Sequence, residues 1–493
     1  MSLLDDTTVE VRSRNRSRNN SSLNDSYSLP HPLSVNQTSD GGWMVRLRTV
    51  IDSGRSSVSE FIKSETVDIP PEENGISWYA AVFLVVNAAL GAGLLNFPQA
   101  FDQAGGIVVA CIVQTVLLTF VIAALVILAY CSDENKCATY QDVVSGMCGK
   151  IARRLCAAAV ALYCYGTCIT FLIIIGDQFE RVLASWYGSS FCHYWYMTRN
   201  FTMIVSSVVL ILPFCFPKRI DFLKYASSFG VLSIMYVEFL VIYKFYEGKH
   251  ESGPVKSKPD AWTDVFLVIP VICFGYQCHV SCVPVYSCLK NRRVGVFLRT
   301  VIVAMAICVL TYTVAATYGY LTFGSLVTSD ILESYDATDP VVLVGLIALA
   351  IKTYTTYPIL LFCGRVAIDD LYLELRKISI ETGMRFERLR RIIIAMVWFV
   401  TSVFLAAVIP NIGVVIQYLG SLAAVFIFIF PGLCLLQLAL KKDDIIILPK
   451  TKVLIAISGT FLFVGSLIFG LVFTQSLIEN IKHKDMDTIK LCH

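Results

Sequence analysis

Residues 87 to 98 read Asn-Ala-Ala-Leu-Gly-Ala-Gly-Leu-Leu-Asn-Phe-Pro, inside an apolar run otherwise long enough to cross a bilayer. Gly91, Gly93 and Pro98 make a poor continuous helix, because Gly costs about 1 kcal/mol in a helix interior and Pro about 3. In hydrocarbon the backbone groups freed by a break have no water to turn to, so the break is tolerated only where it lines a cavity. The chemistry on offer is recognition. The stretch from Asn87 forms one wall of a buried solute site, and the amides of Gly91, Ala92 and Gly93 are placed to receive a carboxylate. A second interrupted run, 263 to 288, holds Pro270, then Phe274-Gly275-Tyr276-Gln277-Cys278-His279, then Pro284. Freed carbonyls around Phe274 and Gly275 suit an ammonium, so a zwitterionic amino acid satisfies both ends at once. Asn96, Gln277 and Ser281 are available for its side chain, or for repairing the broken backbone.

The elements that must position these residues are membrane helices. The chain has 493 residues, of which 56% are hydrophobic and 16% charged, and its mean hydropathy is +0.66. That composition specifies an all-α polytopic membrane protein. A net charge of +3, with basic residues at the ends of apolar segments, gives no support for a nucleic-acid partner. The 17 cysteines lie mostly inside apolar runs, where a thiol behaves as a small hydrophobe. Neither Cys131/Cys137 nor Cys192-His193 has zinc spacing, and no nucleophile–base pair appears, so an enzyme and a resident cofactor are not expected.

Apolar runs of the length a bilayer demands recur near 78–101, 106–130, 153–175, 201–217, 222–244, 263–288, 296–322, 340–363, 391–409, 413–438 and 452–475. The expectation is about eleven spans. Lys150, Arg153, Arg154, Lys218, Arg219, Lys290, Arg292, Arg293, the cluster from Arg385 to Arg391, Lys441 and Lys442 fall on one side, which the positive-inside rule makes cytoplasmic. Asp330, Glu333, Asp336 and Asp339 fall on the other. Lys249, Lys256 and Lys258 dissent, in a loop that also holds Glu247, Glu251 and Asp260. The N-terminus is then cytoplasmic and the C-terminus outside or lumenal. Residues 1–75, rich in Ser, Asn and Arg, read as a disordered cytoplasmic tail, with Ser17, Ser21, Ser22 and Ser26 near an arginine run and a short amphipathic piece at Trp43 to Val50. The two damaged runs are each first in a group of five, a pattern that points to inverted repeats. The resulting division is 76–244 and 245–438 for the two five-helix repeats, and 439–493 for an eleventh helix and short tail.

The motifs at Asn87 to Pro98, Ile173-Ile-Ile-Gly-Asp-Gln178, Phe274-Gly-Tyr-Gln-Cys-His-Val-Ser281 and Ile409-Pro-Asn-Ile-Gly413 resemble the sodium-coupled neutral amino acid transporter family, within the amino acid/auxin permeases. The resemblance runs from Trp78 to about Gln475 and is strongest to members associated with glutamine and asparagine, including a lysosomal exporter. It implies a leucine-transporter-type five-plus-five core with one span left over. It also implies a coupling-cation site in which the carbonyls of Asn87 and Leu90 face the hydroxyls of Thr355 and Thr356, neutral oxygens that suit a hard monovalent cation. In a helix, Thr hydroxyls also commonly bond back to the preceding turn.

Lys352 complicates that site. It lies near the midplane of its span, where a Lys is costly, and one turn before Thr355 and Thr356. A second positive charge at about 6 Å opposes sodium by about 3 kcal/mol at an effective dielectric near 20. Either Lys352 points away and snorkels, which the retained threonine pair favours, or its ammonium stands in for sodium and transport is sodium-independent or proton-linked. Glu238 is a candidate proton relay or partner of Lys352, unless it reaches an interface. His279, after the second break, is either a pH-responsive group or a hydrogen-bonded structural histidine. The expected function is secondary active transport of a glutamine- or asparagine-like neutral amino acid by alternating access, coupled to sodium or a proton, at the lysosomal or plasma membrane. The alternative is a membrane sensor in which solute occupancy repositions the tail for a signalling partner. Tyr372-Leu-Glu-Leu375 resembles a sorting signal.

Overall fold

The computed structural model describes residues 75–188, 193–217, 224–377, 386–409, 411–441 and 449–482. The tail with its serines and Trp43 to Val50 therefore lies outside the described residues, as do Pro410, Lys218, Arg219 and Lys442. In chain order the helices are α1 Trp78–Ala89, α2 Gly93–Gln103, α3 Ile107–Asn135, α4 Tyr140–Tyr187, α5 Arg199–Leu210, α6 Lys224–Glu247, α7 Val268–Gly275, α8 His279–Ser287, α9 Val294–Phe323, α10 Pro340–Arg376, α11 Glu387–Val408, α12 Ile412–Ala424, α13 Phe430–Lys441 and α14 Pro449–Lys482. Among the described residues nine apolar stretches are long enough to cross a membrane, with α7 and α8 counted as one. The α1–α2 pair, bent by 62°, makes a tenth. Helix α5 is shorter, twelve residues before a 3-10 turn at Leu212–Cys215 that carries Pro213 as its second residue.

Local chemistry explains where several helices begin. Ser77, Thr139, Asp339 and Asn411 each accept a hydrogen bond from a backbone N–H of the first turn, of α1, α4, α10 and α12 respectively, answering donors that have no partner within a helix. Several helices run beyond the spans expected from hydropathy. Helix α4 starts at Tyr140 and turns at Gly149, whose φ of 83° favours glycine. Arg154 Nε, just past that turn, pairs with Glu374 of α10 at 2.9 Å, and Arg390 of α11 forks onto Asp369 of α10 at 2.7 and 3.2 Å. The basic rim is therefore tied together rather than merely solvated. Two of the three dissenting lysines are also paired: Lys249 with Glu247 at 2.6 Å and Lys256 with Asp260 at 2.8 Å.

The broken helices sit at the centre. Helix α10 packs on α4 and α6, α9 on α1 and α2, α2 on α7, and α12 on α7, while α14 lies outside against α12 and α13. Between α12 and α13 a π-helical turn, Val425–Ile429, inserts a bulge, and the Tyr140 hydroxyl donates to Phe426 O at 3.1 Å. At the basic rim, Ile76 N donates to Cys288 O at 2.8 Å and Lys290 N to Ile76 O at 2.9 Å, pinning the start of α1 to the segment that leaves α8.

Candidate functional site

The first break is built by three residues. Leu90 is extended (φ −68°, ψ 100°) and its N–H still closes onto Val86 O at 2.7 Å. The chain then passes Gly91 and Ala92 before helix resumes at Gly93. A Cβ on Gly93 would stand 3.1 Å from Gly275 Cα, and one on Gly275 would stand 2.7 Å from Phe97 Cε2. The two breaks thus cross in near backbone contact, which only glycine at both positions permits. Around Gly91 there is room: an added Cβ would meet nothing nearer than Ala89 O at 3.8 Å.

Tyr312 of α9 links the two breaks. Its hydroxyl lies 2.8 Å from Ala89 O and 3.0 Å from Gly275 O, and the Gly91 N–H approaches the same oxygen. The ring stacks on Phe97 at 4.4 Å, with 8° between the planes. A hydroxyl carries one proton, so two freed carbonyls share a single donor. Gly91 therefore turns toward Tyr312, and Ala92 and Gly93 are the remaining amides of the expected trio. At the second break Phe274 O accepts from Gln277 N at 3.3 Å. Gln277 Oε1 accepts from His279 N at 2.8 Å and lies 3.2 Å from His279 Nδ1. Tyr276 Oη accepts from Gln114 Nε2 of α3 at 2.8 Å. His279 is fully buried and held against the Gln277 amide at the start of α8. Nothing in the sequence singled out Tyr312 or Gln114; both are polar residues inside otherwise apolar helices, far along the chain from the breaks they serve.

Lys352 departs from the favoured expectation. Its side chain is 4% exposed and Nζ donates to Leu90 O at 3.0 Å. It does not snorkel, because the wall of α6 opposite it is Gly230, where an added Cβ would meet Lys352 Cγ at 3.3 Å. The glycine leaves a slot that leads the stem to the break. Thr355 Oγ1 donates to Ile351 O at 3.1 Å and Lys352 O at 2.8 Å, and Thr356 Oγ1 to Lys352 O at 2.8 Å. Glu238 bonds to Thr311, and among the described residues no carboxylate lies within ion-pair distance of Lys352.

On the side away from the basic rim, the joint between α9 and α10 packs against α2. Asn96 Nδ2 donates to Ser329 O at 2.9 Å and to Gln99 Oε1 at 3.2 Å, so it holds this joint. Asp330 is fully buried, its Oδ1 capping Leu332 N at 2.9 Å and its Oδ2 taking Gln178 Nε2 at 3.3 Å. Arg181 of α4 donates to the carbonyls of Leu332, Glu333 and Tyr335, and Arg199 of α5 holds Asp177 of α4 at 2.5 Å. Burial first, and then the neighbouring Glu333 carboxylate, push the Asp330 carboxyl up to about 7. Burial likewise raises Glu333, against the pull of Arg181 and Arg199. Among the described residues no cluster of His, Cys, Asp and Glu is arranged to hold a metal ion.

The family profile described as transmembrane amino acid transporter protein matches residues 74–478. A Danio rerio protein named sodium-coupled neutral amino acid transporter 7 is 42% identical over 432 residues, covering 85% of this chain and 93% of its own. The Homo sapiens protein of the same name is 42% identical over 400 residues, covering 80% and 86%. Among solved structures, the one titled "Inward facing conformation of Mhp1" is similar with a TM-score of 0.51 at 12% identity, covering 84% of this chain and 94% of that one. That likeness concerns the fold alone and agrees with the leucine-transporter-type architecture that the family resemblance implies. The relatives are named as transporters and not enzymes. Nothing in those names favours the sensor reading. With matches spanning nearly all of its helical part, the chain belongs to the transmembrane amino acid transporter protein family, in the branch of the sodium-coupled neutral amino acid transporters.

Proposed function

We propose that this chain is a secondary active transporter of neutral amino acids of the glutamine and asparagine kind, built from two five-helix repeats, 76–244 and 245–438. It moves its solute by alternating access as the first and sixth spans move against a scaffold around a fixed central site. The observation that carries this reading is the crossing of the two breaks, with Gly93 against Gly275 and one Tyr312 proton shared between Ala89 O and Gly275 O. The substrate carboxylate binds at Ala92 and Gly93, beside the open space at Gly91. Its ammonium binds at the carbonyl Tyr312 does not serve. Asn87, Tyr276 and Gln277 border the substrate. The N-terminus is cytoplasmic, on the basic rim, and the membrane is lysosomal or plasma.

The coupling site comprises Asn87, Leu90, Thr355 and Thr356. The relatives are named sodium-coupled, which favours sodium there. A second reading has its own observation: the Lys352 ammonium already sits on Leu90 O, so a fixed charge serves in place of sodium and protons drive the cycle. Radiolabelled glutamine uptake into proteoliposomes, with sodium or choline and at acidic or neutral pH, tests both. Saturable uptake competed by asparagine is expected. Negligible flux across a panel of neutral amino acids overturns the transporter reading, whatever the ion.

A further inference from the structure

Away from the central site, a cavity of about 350 Å³ opens on the basic rim where α1 begins and α8 ends. Its floor is apolar, from Ile76, Trp78, Leu289 and Val296, and its edge carries Lys290 and Arg299. Both cations are exposed, and among the described residues neither pairs with a carboxylate. Exposed apolar side chains continue along the two helices that flank it. On α1 these are Phe83 and Leu84, and on α9 Ile302, Val303 and Leu310. An apolar slot with two unpaired cations at its mouth, beside helix surfaces that face lipid tails, has the polarity profile of an amphiphile with a negative head.

We propose that this cavity binds an anionic phospholipid of the leaflet on the basic side, its phosphate drawn to Lys290 and Arg299 and its upper acyl chain lying on Trp78, Leu289 and Val296. Each cation near an anionic membrane surface adds attraction of a size that makes the pair worth about thirty-fold in affinity. The site also contains Ile76 and Leu289, the residues of the backbone bridge between α1 and α8, so a bound lipid buttresses that bridge. The proposal rests on the membrane reading of the chain and not on which solute it carries.

The test uses the full chain in phosphatidylcholine nanodiscs, with and without phosphatidylserine, followed by native mass spectrometry and thermal unfolding. One phosphatidylserine should be retained against phosphatidylcholine, with a rise in melting temperature. The double variant Lys290→Gln/Arg299→Gln should lose that preference by about thirty-fold, while Lys150→Gln/Arg388→Gln, which removes the same charge elsewhere on the rim, keeps it. Equal preference in all three proteins overturns the proposal. So does phosphatidylserine uptake that is absent from the full chain and appears only when residues 1–74 are deleted, since the acidic stretch Glu65 to Glu73 would then be the occupant. Unchanged unfolding of the double variant in pure phosphatidylcholine separates lost binding from lost fold.

Discussion

Tyr312 offers one proton to two carbonyls of different helices, so removing it strands backbone groups where no water replaces it. Tyr312→Phe keeps the stack on Phe97 and deletes only the hydroxyl. The expected cost is about 1–3 kcal/mol, seen as a lower melting temperature together with a raised KM for glutamine. A normal KM would detach Tyr312 from the site. Lys352→Ala addresses the coupling ion. If the ammonium stands in for sodium, the wild type takes up glutamine equally in sodium and choline, and the variant either loses uptake or gains sodium dependence. Sodium dependence present and unchanged in both proteins would sink the stand-in reading. Both glycine breaks and the misplaced charge of Lys352 were legible in the sequence, because residue type alone conflicts with a helix in lipid. The direction Lys352 takes was not legible. It depends on Gly230 leaving a slot in the facing helix, a matter of packing that no local pattern encodes.

The joint between α9 and α10 is the element whose behaviour depends on pH. In an unfolded chain Asp330 titrates near 4, whereas in the folded protein it does so at about 7. Between those values the folded protein holds a proton that the unfolded chain has released, so stability falls as pH rises through that window and levels off above it. Asp330→Asn should therefore flatten the dependence of melting temperature on pH across the window, leaving only the slope from Glu333 and other raised carboxylates, which shift the same way. An unaltered slope would assign the effect elsewhere. At this scale hydropathy placed the starts of α1, α10 and α12 to within a residue but missed the start of α4 at Tyr140, and it was poor about irregularities. Ser77, Thr139, Asp339 and Asn411 are side chains that suit a helix beginning, and they occur there. The π turn at Val425–Ile429 lies in an unbroken apolar run, and its partner Tyr140 is an ordinary-looking residue at the start of another helix.

At the scale of the whole molecule the five-plus-five arrangement followed from two damaged spans separated by four intact ones, a pattern that survives in composition because lipid is an unforgiving solvent for backbone. The eleven crossings expected from the sequence, one more than the ten counted among the described residues, would place the termini on opposite sides. Epitope tags test this: an N-terminal tag should be stained only after selective permeabilisation of the plasma membrane, while a C-terminal tag should be stained without permeabilisation if the protein is in the plasma membrane and stay shielded after it if the protein is lysosomal. A C-terminal tag stained only after that permeabilisation would require an even number of crossings. The bridge of Ile76 to Cys288 and Lys290 bears on how such a molecule moves. With their ends pinned, α1 and α8 swing as one lever rather than as two independent arms. The compliance of the lever then resides in Leu90 to Ala92 and Tyr276 to Cys278, the peptides outside regular helix. Those are also the peptides proposed to grip the solute, and on that proposal a seated amino acid stiffens the hinge it sits in, and an empty site is the floppier machine.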